Sequence, residues 1–467
     1  MLFWSSKKTL FRLLLVCFSL WLLTACAYQP KHETLPVELS EAWQAADQST
    51  LEYTAANSDW WLSFQSPQLS GLITQALASS PDLLMAQQRV LQAEAQLGIT
   101  RANALPHLDA SLGASTGSKK ATGGSSNSTK SSSFGLTTSY EIDLWGRVAA
   151  ERSASEATLA SKVYDWHATR LTLTAAVASS WFKWLVLDGQ QRNAAWYLQA
   201  SEQQLDFIEA GYKQGSTTRV ELARQRKQVL TRQSNLRKLT HQKRQAAQTL
   251  ALLLGESPQQ FQPPAAKLMQ LQIPHPDPGL PSELLSRRPD LAREEAQLKA
   301  VDANVAVARK AIYPSLSLNA SVKLVSDSFS LSSPTQSLSL GSNLTQNIFD
   351  FGKRRRQIEL NESKQQEMLL SYYKSVLTAL AEVEDALSNE ELSRMLEIHQ
   401  QRLIEENRLI ARNTERLYNA GAEKLTNLLD AQLEELQAED QLLEFYQDRL
   451  NASLTLYKVL GGGWKAE

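Results

Sequence analysis

"SLSLNASVKL", Ser315–Leu324, places Leu316, Leu318, Ala320, Val322 and Leu324 at every second position, with polar or small residues between them. In an extended chain these five side chains share one face. Three further stretches repeat the pattern. "HLDASLGAS" from His107 alternates Leu108, Ala110, Leu112 and Ala114, and "FGLTTSYEID" from Phe134 alternates Phe134, Leu136, Thr138, Tyr140 and Ile142. "SLSLGSNLTQNI" from Ser337 carries Leu338, Leu340, Leu344 and Ile348. Such alternation fits strands of a membrane barrel, apolar outward and polar inward, and equally a half-buried sheet beside helices. Beyond the N-terminus no apolar run reaches the length of a spanning helix, so any crossing of a membrane must use strands of a closed barrel. Four strands are too few to close one, and open edges in lipid would leave backbone groups unpaired, so several chains must share the barrel. Trp145 and Phe351 follow at matching strand ends, as an interfacial aromatic belt requires. The Gly/Ser/Lys-rich stretch Thr116 to Ser133 reads as a flexible loop between the first two strands.

The strands belong to a longer unit that occurs twice, offset by 206–208 residues. "SSPDLLMAQQRV" from Ser79 matches "RRPDLAREEAQL" from Arg287, and "IDLWGR" from Ile142 matches "IFDFGKR" from Ile348. "GYKQGS" from Gly211 matches "LYNAGA" from Leu417, and "LLGES" from Leu253 matches "VLGGG" from Val459. Each unit reads as a helix opening at Pro-Asp-Leu, two strands, a very long helix, a glycine turn and a shorter helix. Arg147 to Ala210 and Lys353 to Ala420 lack proline and are rich in good helix formers. At 1.5 Å per residue each spans roughly 95–100 Å, a length suited to a conduit or a coiled-coil-like assembly. Gly189 marks a candidate break in the first. The expected division is a signal peptide at 1–25, an arm and equatorial segment at 26–78, and a first repeat at 79–257 with its hairpin at 107–145. A linker at 258–286, a second repeat at 287–461 with its hairpin at 315–349, and a tail at 462–467 complete it.

The N-terminus carries Lys7, Lys8 and Arg12 ahead of the apolar run Leu13–Leu23, which is short for a membrane span and normal for a signal peptide. Leu23-Thr24-Ala25-Cys26 resembles a bacterial lipobox, which implies cleavage before Cys26 and acylation of its thiol. Ala27 at the next position resembles outer-membrane sorting. The arm from Ala27 to about Ala56 is then expected to be loose apart from its lipid. Loss of the leader removes Cys17, the other of two cysteines, and leaves no disulfide, zinc site or catalytic thiol to build. It also removes three basic residues, taking the net charge from −1 to −4, a poor balance for a nucleic-acid binder. The six histidines are scattered without metal spacing, and no phosphate loop or nucleophile elbow occurs, so neither a cofactor nor an enzyme is expected.

"DWWLSFQSPQLSGLITQALASSPDL", Asp59–Leu83, resembles the opening motif of outer-membrane efflux lipoproteins of the TolC-like superfamily, the NodT type. "LPSELLSRRPDL", Leu280–Leu291, is similar to that family's start of the second repeat, and "LYNAGAEKLTNLLDAQLEEL", Leu417–Leu436, to its final turn and helix. The resemblance implies a mainly α fold with a membrane β-barrel portion: a homotrimer sharing a twelve-stranded barrel over a long α-helical barrel in the periplasm. It implies an exit duct for small molecules in a tripartite efflux system, in the outer membrane, with a periplasmic adaptor and an inner-membrane pump as partners. A duct for type I protein secretion shares the fold, and a structural coiled-coil lipoprotein is the reading from another class; the lipobox and "RRPDL" favour efflux, and the alternating strands oppose the coiled coil.

By the same resemblance the closed end lies at the helix turns. Carried over from the Gly421 landmark, Asn427 and Asp430 are the constriction positions, with Asp430 from several chains forming an acidic ring. Carboxylate rings favour cations, and asparagine at position 427 makes this ring weaker. Tyr418 matches a tyrosine that bonds a carboxylate, and Glu221 is the matching carboxylate. Glu423 stands where some relatives carry a basic gate residue. "KRRR", Lys353–Arg356, follows a strand end and reads equally as basic residues near the inner-leaflet headgroups or as a solvated helix start.

Overall fold

The computed structural model describes residues 40, 42–44, 58–120, 126–327 and 334–465. Cys26 and the leader lie outside the described residues. Helices α1 (Pro67–Ser79) and α2 (Pro81–Asn103) precede strands β1 (His107–Lys120) and β2 (Ser126–Ile142). Helices α3 (Arg147–Lys213) and α4 (Arg219–Leu254) follow. After an irregular segment come α5 (Pro289–Lys310), β3 (Ser315–Ser326), β4 (Thr335–Thr345), α6 (Lys353–Asn419) and α7 (Leu425–Val459). Both α3 and α6 run for 67 residues. No helix among the described residues is long and apolar enough to cross a membrane.

The chain forms two compact units. The first comprises Gly98–Glu156 and Leu298–Met368, and the second takes in residues 157–297, 369–465 and the described segments before 98.

In the first unit the four strands form one antiparallel sheet in the order β1-β2-β3-β4. Its register gathers the alternating residues of all four strands. Ala110 pairs with Leu136, Leu136 with Val322, and Val322 with Leu338. One step along, Leu108 faces Thr138, Thr138 faces Ala320, and Ala320 faces Leu340. Directly paired residues share a face, so all four apolar sets fall on one side. That side is open to solvent in the single chain: Leu112 is 79% exposed, Leu338 78% and Leu340 85%. The opposite side is polar, with hydroxyl pairs such as Ser115–Ser131 at 2.8 Å and Ser321–Ser339 at 2.7 Å. The strands also extend into the serine-rich stretch expected as a loop, because Thr116–Lys120 pairs with Ser126–Lys130.

The helices leaving the sheet start on aspartates. Asp143 accepts from the Val148 and Ala149 amides at 3.2 and 2.8 Å, and Asp350 from the Arg354 amide at 3.3 Å. Both satisfy otherwise orphaned first-turn donors. The two expected belt residues differ. Trp145 stacks on Tyr313 at 4.9 Å and donates its Nε1–H to the Pro314 carbonyl at 2.8 Å. Phe351 is 91% exposed and meets Phe349. The basic run is a helix start matched by acids: Arg356 pairs with Glu359 at 2.6 Å and Arg354 with Asp350 at 3.6 Å.

The second unit holds a core of Trp60, Phe64, Trp181, Phe182, Leu250, Leu450 and Tyr457. Helix α3 passes through Gly189 without a break. There a Cβ would meet Leu443 of α7 at 2.9 Å, so the glycine allows a close helix approach rather than a kink. The arm is not loose throughout: Trp43 is 8% exposed and its Nε1–H donates to the Gly279 carbonyl at 2.9 Å.

Candidate channel gate

The residues singled out for gating all lie in the second unit, at two turns. In the α3–α4 turn Gly215 has φ +76°, and Ser216 N–H donates to the Gly211 carbonyl at 2.9 Å. In the α6–α7 turn Gly421 has φ +72°, and Ala422 N–H donates to the Leu417 carbonyl at 2.9 Å. This is a left-handed glycine closure of a helix end. Beneath the turns, Ile208 of α3, Leu222 of α4, and Leu425 and Leu429 of α7 form a small buried cluster, with Leu205 and Tyr418 packed on it.

Tyr418 sits in the last turn of α6, half-buried. Its burial, with the Glu221 carboxylate nearby, pushes the phenol above its ordinary pKa. Glu221 is the third residue of α4, and its Oε2 accepts from the Thr218 amide and hydroxyl, each at 2.9 Å. Thr218 Oγ1 in return accepts from Glu221 N–H at 3.2 Å, completing a capping box. The structure thus brings Tyr418 and Glu221 together, with the carboxylate engaged at its own helix start.

Glu423 precedes α7. Its Oε1 accepts from Lys424 N–H at 2.8 Å and from Asn427 Nδ2 at 2.7 Å. The Lys424 amide first, and Asn427 second, hold its carboxyl below the usual range. Asn427 and Asp430 are both exposed, three residues apart and so on one face of α7. Asp430 also lines a groove of about 570 Å³ between α4 and α7, together with Arg224, Lys227, Arg232 and Asp440. These four escaped the sequence reading. A signal existed: residues 219–244 carry nine basic side chains and one acidic, whereas α7 carries seven acidic and two basic. Asp440 accepts from Asn193 Nδ2 at 3.1 Å, and burial pushes its carboxyl up to about 6. No cluster of metal-ligating side chains occurs among the described residues.

An antiparallel sheet with one apolar face, joined to paired long helices turning on glycine, defines a channel protein of the outer membrane. Residues 72–256 and 280–462 each match the outer membrane efflux protein family, and the chain belongs to that family. It is 40% identical over 418 residues, 87% of this chain and 88% of the other, to the pyoverdine export outer membrane protein OpmQ of Pseudomonas aeruginosa. It is 30% identical to the probable outer membrane lipoprotein SilC of Salmonella typhimurium, covering 97% of this chain and 100% of that one. The solved open-state channel MtrE of Neisseria gonorrhoeae superposes with a TM-score of 0.84 at 26% identity, over 94% of this chain and 99% of the other. The chain is an outer-membrane efflux channel and not an enzyme.

Proposed function

We propose that three copies of the chain close one twelve-stranded barrel in the outer membrane and that α3, α4, α6 and α7 line a periplasmic tunnel. The observation that carries this reading is the exposed apolar face of the sheet, bounded by outer strands β1 and β4 that each have one partner strand within the chain. Exposed Leu340 and Leu112 belong in hydrocarbon, and the outer edges need a neighbour there. The duct serves a tripartite efflux system, taking small molecules from an inner-membrane pump through a periplasmic adaptor. The OpmQ relative supports a pyoverdine-like cargo over an exported protein. Purified protein in detergent is expected to run as a heat-modifiable trimer and to conduct ions in planar bilayers. A monomer without conductance overturns the reading.

The gate is proposed at the turns. Asp430 from three chains forms a ring of modest cation preference, since Asn427 contributes no second charge. Glu423 binds Asn427 and so fixes the amide at the ring's edge. Tyr418 beside Glu221 is the latch, with opening drawing Glu221 away from the phenol. Tyr418→Phe combined with Glu221→Ala is expected to raise single-channel conductance, and unchanged conductance removes the latch. Cys26 is the proposed lipid attachment, a reading supported by the lipobox and by the description of SilC as a lipoprotein. Cys26→Ser is expected to impair maturation or sorting, read by membrane fractionation, while a substitute non-lipoprotein signal restores much of the channel activity.

A further inference from the structure

The α4–α7 groove holds charge that the gate does not use. Arg232 is 8% exposed, and its Nε and one terminal nitrogen meet no hydrogen-bond acceptor among the described residues. Its guanidinium lies 5.3 Å from the centre of the Tyr197 ring, a favourable contact that accepts none of its N–H groups in plane. A buried guanidinium left this way is costly unless something fills the space in front of it.

Beside it opens a groove of about 570 Å³, walled on the α4 side by Arg224, Lys227, Arg232 and Asn235. The volume lies within the range of sites for small molecules. Arg224 and Lys227 make no ion pair among the described residues. Two other cations of α4 are matched: Arg226 bonds Glu209 at 2.7 Å, and Lys243 bonds Asp188 at 2.5 Å. Asp430 and Asp440 line it from α7, leaving one excess positive charge among five ionisable groups. Asp440 is already bonded to Asn193.

We propose that the α4–α7 groove binds a small oxyanion, a carboxylate or phosphate group of a dissolved molecule, on the Arg232 fork with Arg224 and Lys227 as flanking cations. A guanidinium presents paired N–H groups that match such an oxyanion, and a lysine ammonium does not reproduce them. None of Arg224, Lys227 and Arg232 is a proposed gate residue, so binding and gating are tested by different variants.

The test titrates citrate into the purified full-length protein in detergent by calorimetry, with ionic strength held constant with chloride. One saturable site per chain is expected. Arg224→Gln combined with Lys227→Gln is expected to weaken it at least tenfold, and these exposed positions leave the fold intact. Arg232→Lys is expected to weaken it despite keeping the charge. Crystals soaked in selenate are expected to show an anomalous peak within hydrogen-bonding reach of Arg232. Absence of saturable citrate binding overturns the proposal. So does equal affinity in the double variant, or a selenate peak elsewhere with none at Arg232; the last two assign the anion to another basic surface.

Discussion

The α3–α4 and α6–α7 turns close alike and reopen differently. Gly215 and Gly421 adopt nearly the same left-handed backbone, and each is followed by the same amide-to-carbonyl return. The next helix starts on Thr218 in one turn, with a full capping box to Glu221. In the other it starts on Lys424, with no side-chain cap, and Glu423 takes the Lys424 amide from outside the helix while also binding Asn427. Both solutions place a carboxylate at a helix N-terminus, where the dipole favours it. The first carboxylate is tied to its own helix start. The second couples the turn to Asn427. The same backbone thus serves as a fixed corner in one place and carries a carboxylate linked into α7 through Asn427 in the other.

The largest test of this contrast lies in the cluster beneath both turns. Leu425→Ala is expected to cost about 2–4 kcal/mol, the usual range for emptying a buried leucine site. Leu222→Ala is expected to cost less, because the capping box still holds its helix start. Chemical denaturation compares the two, and equal losses would deny the caps any part. Thr218→Ala is expected to cost about 1 kcal/mol and to speed amide exchange at residues 218–222 while leaving the second turn unchanged. The converse change, Lys424→Thr with Asn427→Glu, builds the missing capping box. It is expected to stabilise the start of α7 by about 1 kcal/mol and to strengthen cation preference in bilayers. Gly215→Ala and Gly421→Ala are expected to cost about 1 kcal/mol each and equally, since a Cβ meets nothing within 4 Å at either site and only the backbone objects.

The smallest effect concerns Glu423. Its depressed pKa stabilises the turn above the unfolded-state pKa, and that stability disappears as pH falls through the folded value. Asn427→Ala is expected to raise the Glu423 pKa part-way back, read by carbon-detected titration, with the Lys424 amide keeping the rest. A full return to the ordinary value would make Asn427 the main support.

Much of this architecture is legible from local patterns. Alternation marked all four strands because each face is defined by neighbours two residues away. Proline-free, helix-favouring runs marked α3 and α6, and Gly215 and Gly421 marked their ends. The motifs carrying Asp143 and Asp350 lie where the long helices begin. Cluster residues are another matter. Arg232 is one of nine basic residues in its stretch, and nothing local distinguishes it from Arg226, which finds Glu209. The ring it lies over is that of Tyr197, 35 positions earlier on another helix.

By itself the sequence determined the periods, the breaks and the caps, all of which act within a few residues. Only tertiary structure decided the register that gathers Ala110, Leu136, Val322 and Leu338 on one face. It alone separated a hydrogen-bonded Trp145 from an exposed Phe351, and committed Glu221 to a cap beside Tyr418. These outcomes depend on pairing and packing between segments distant in the chain, and no local propensity encodes which partner arrives.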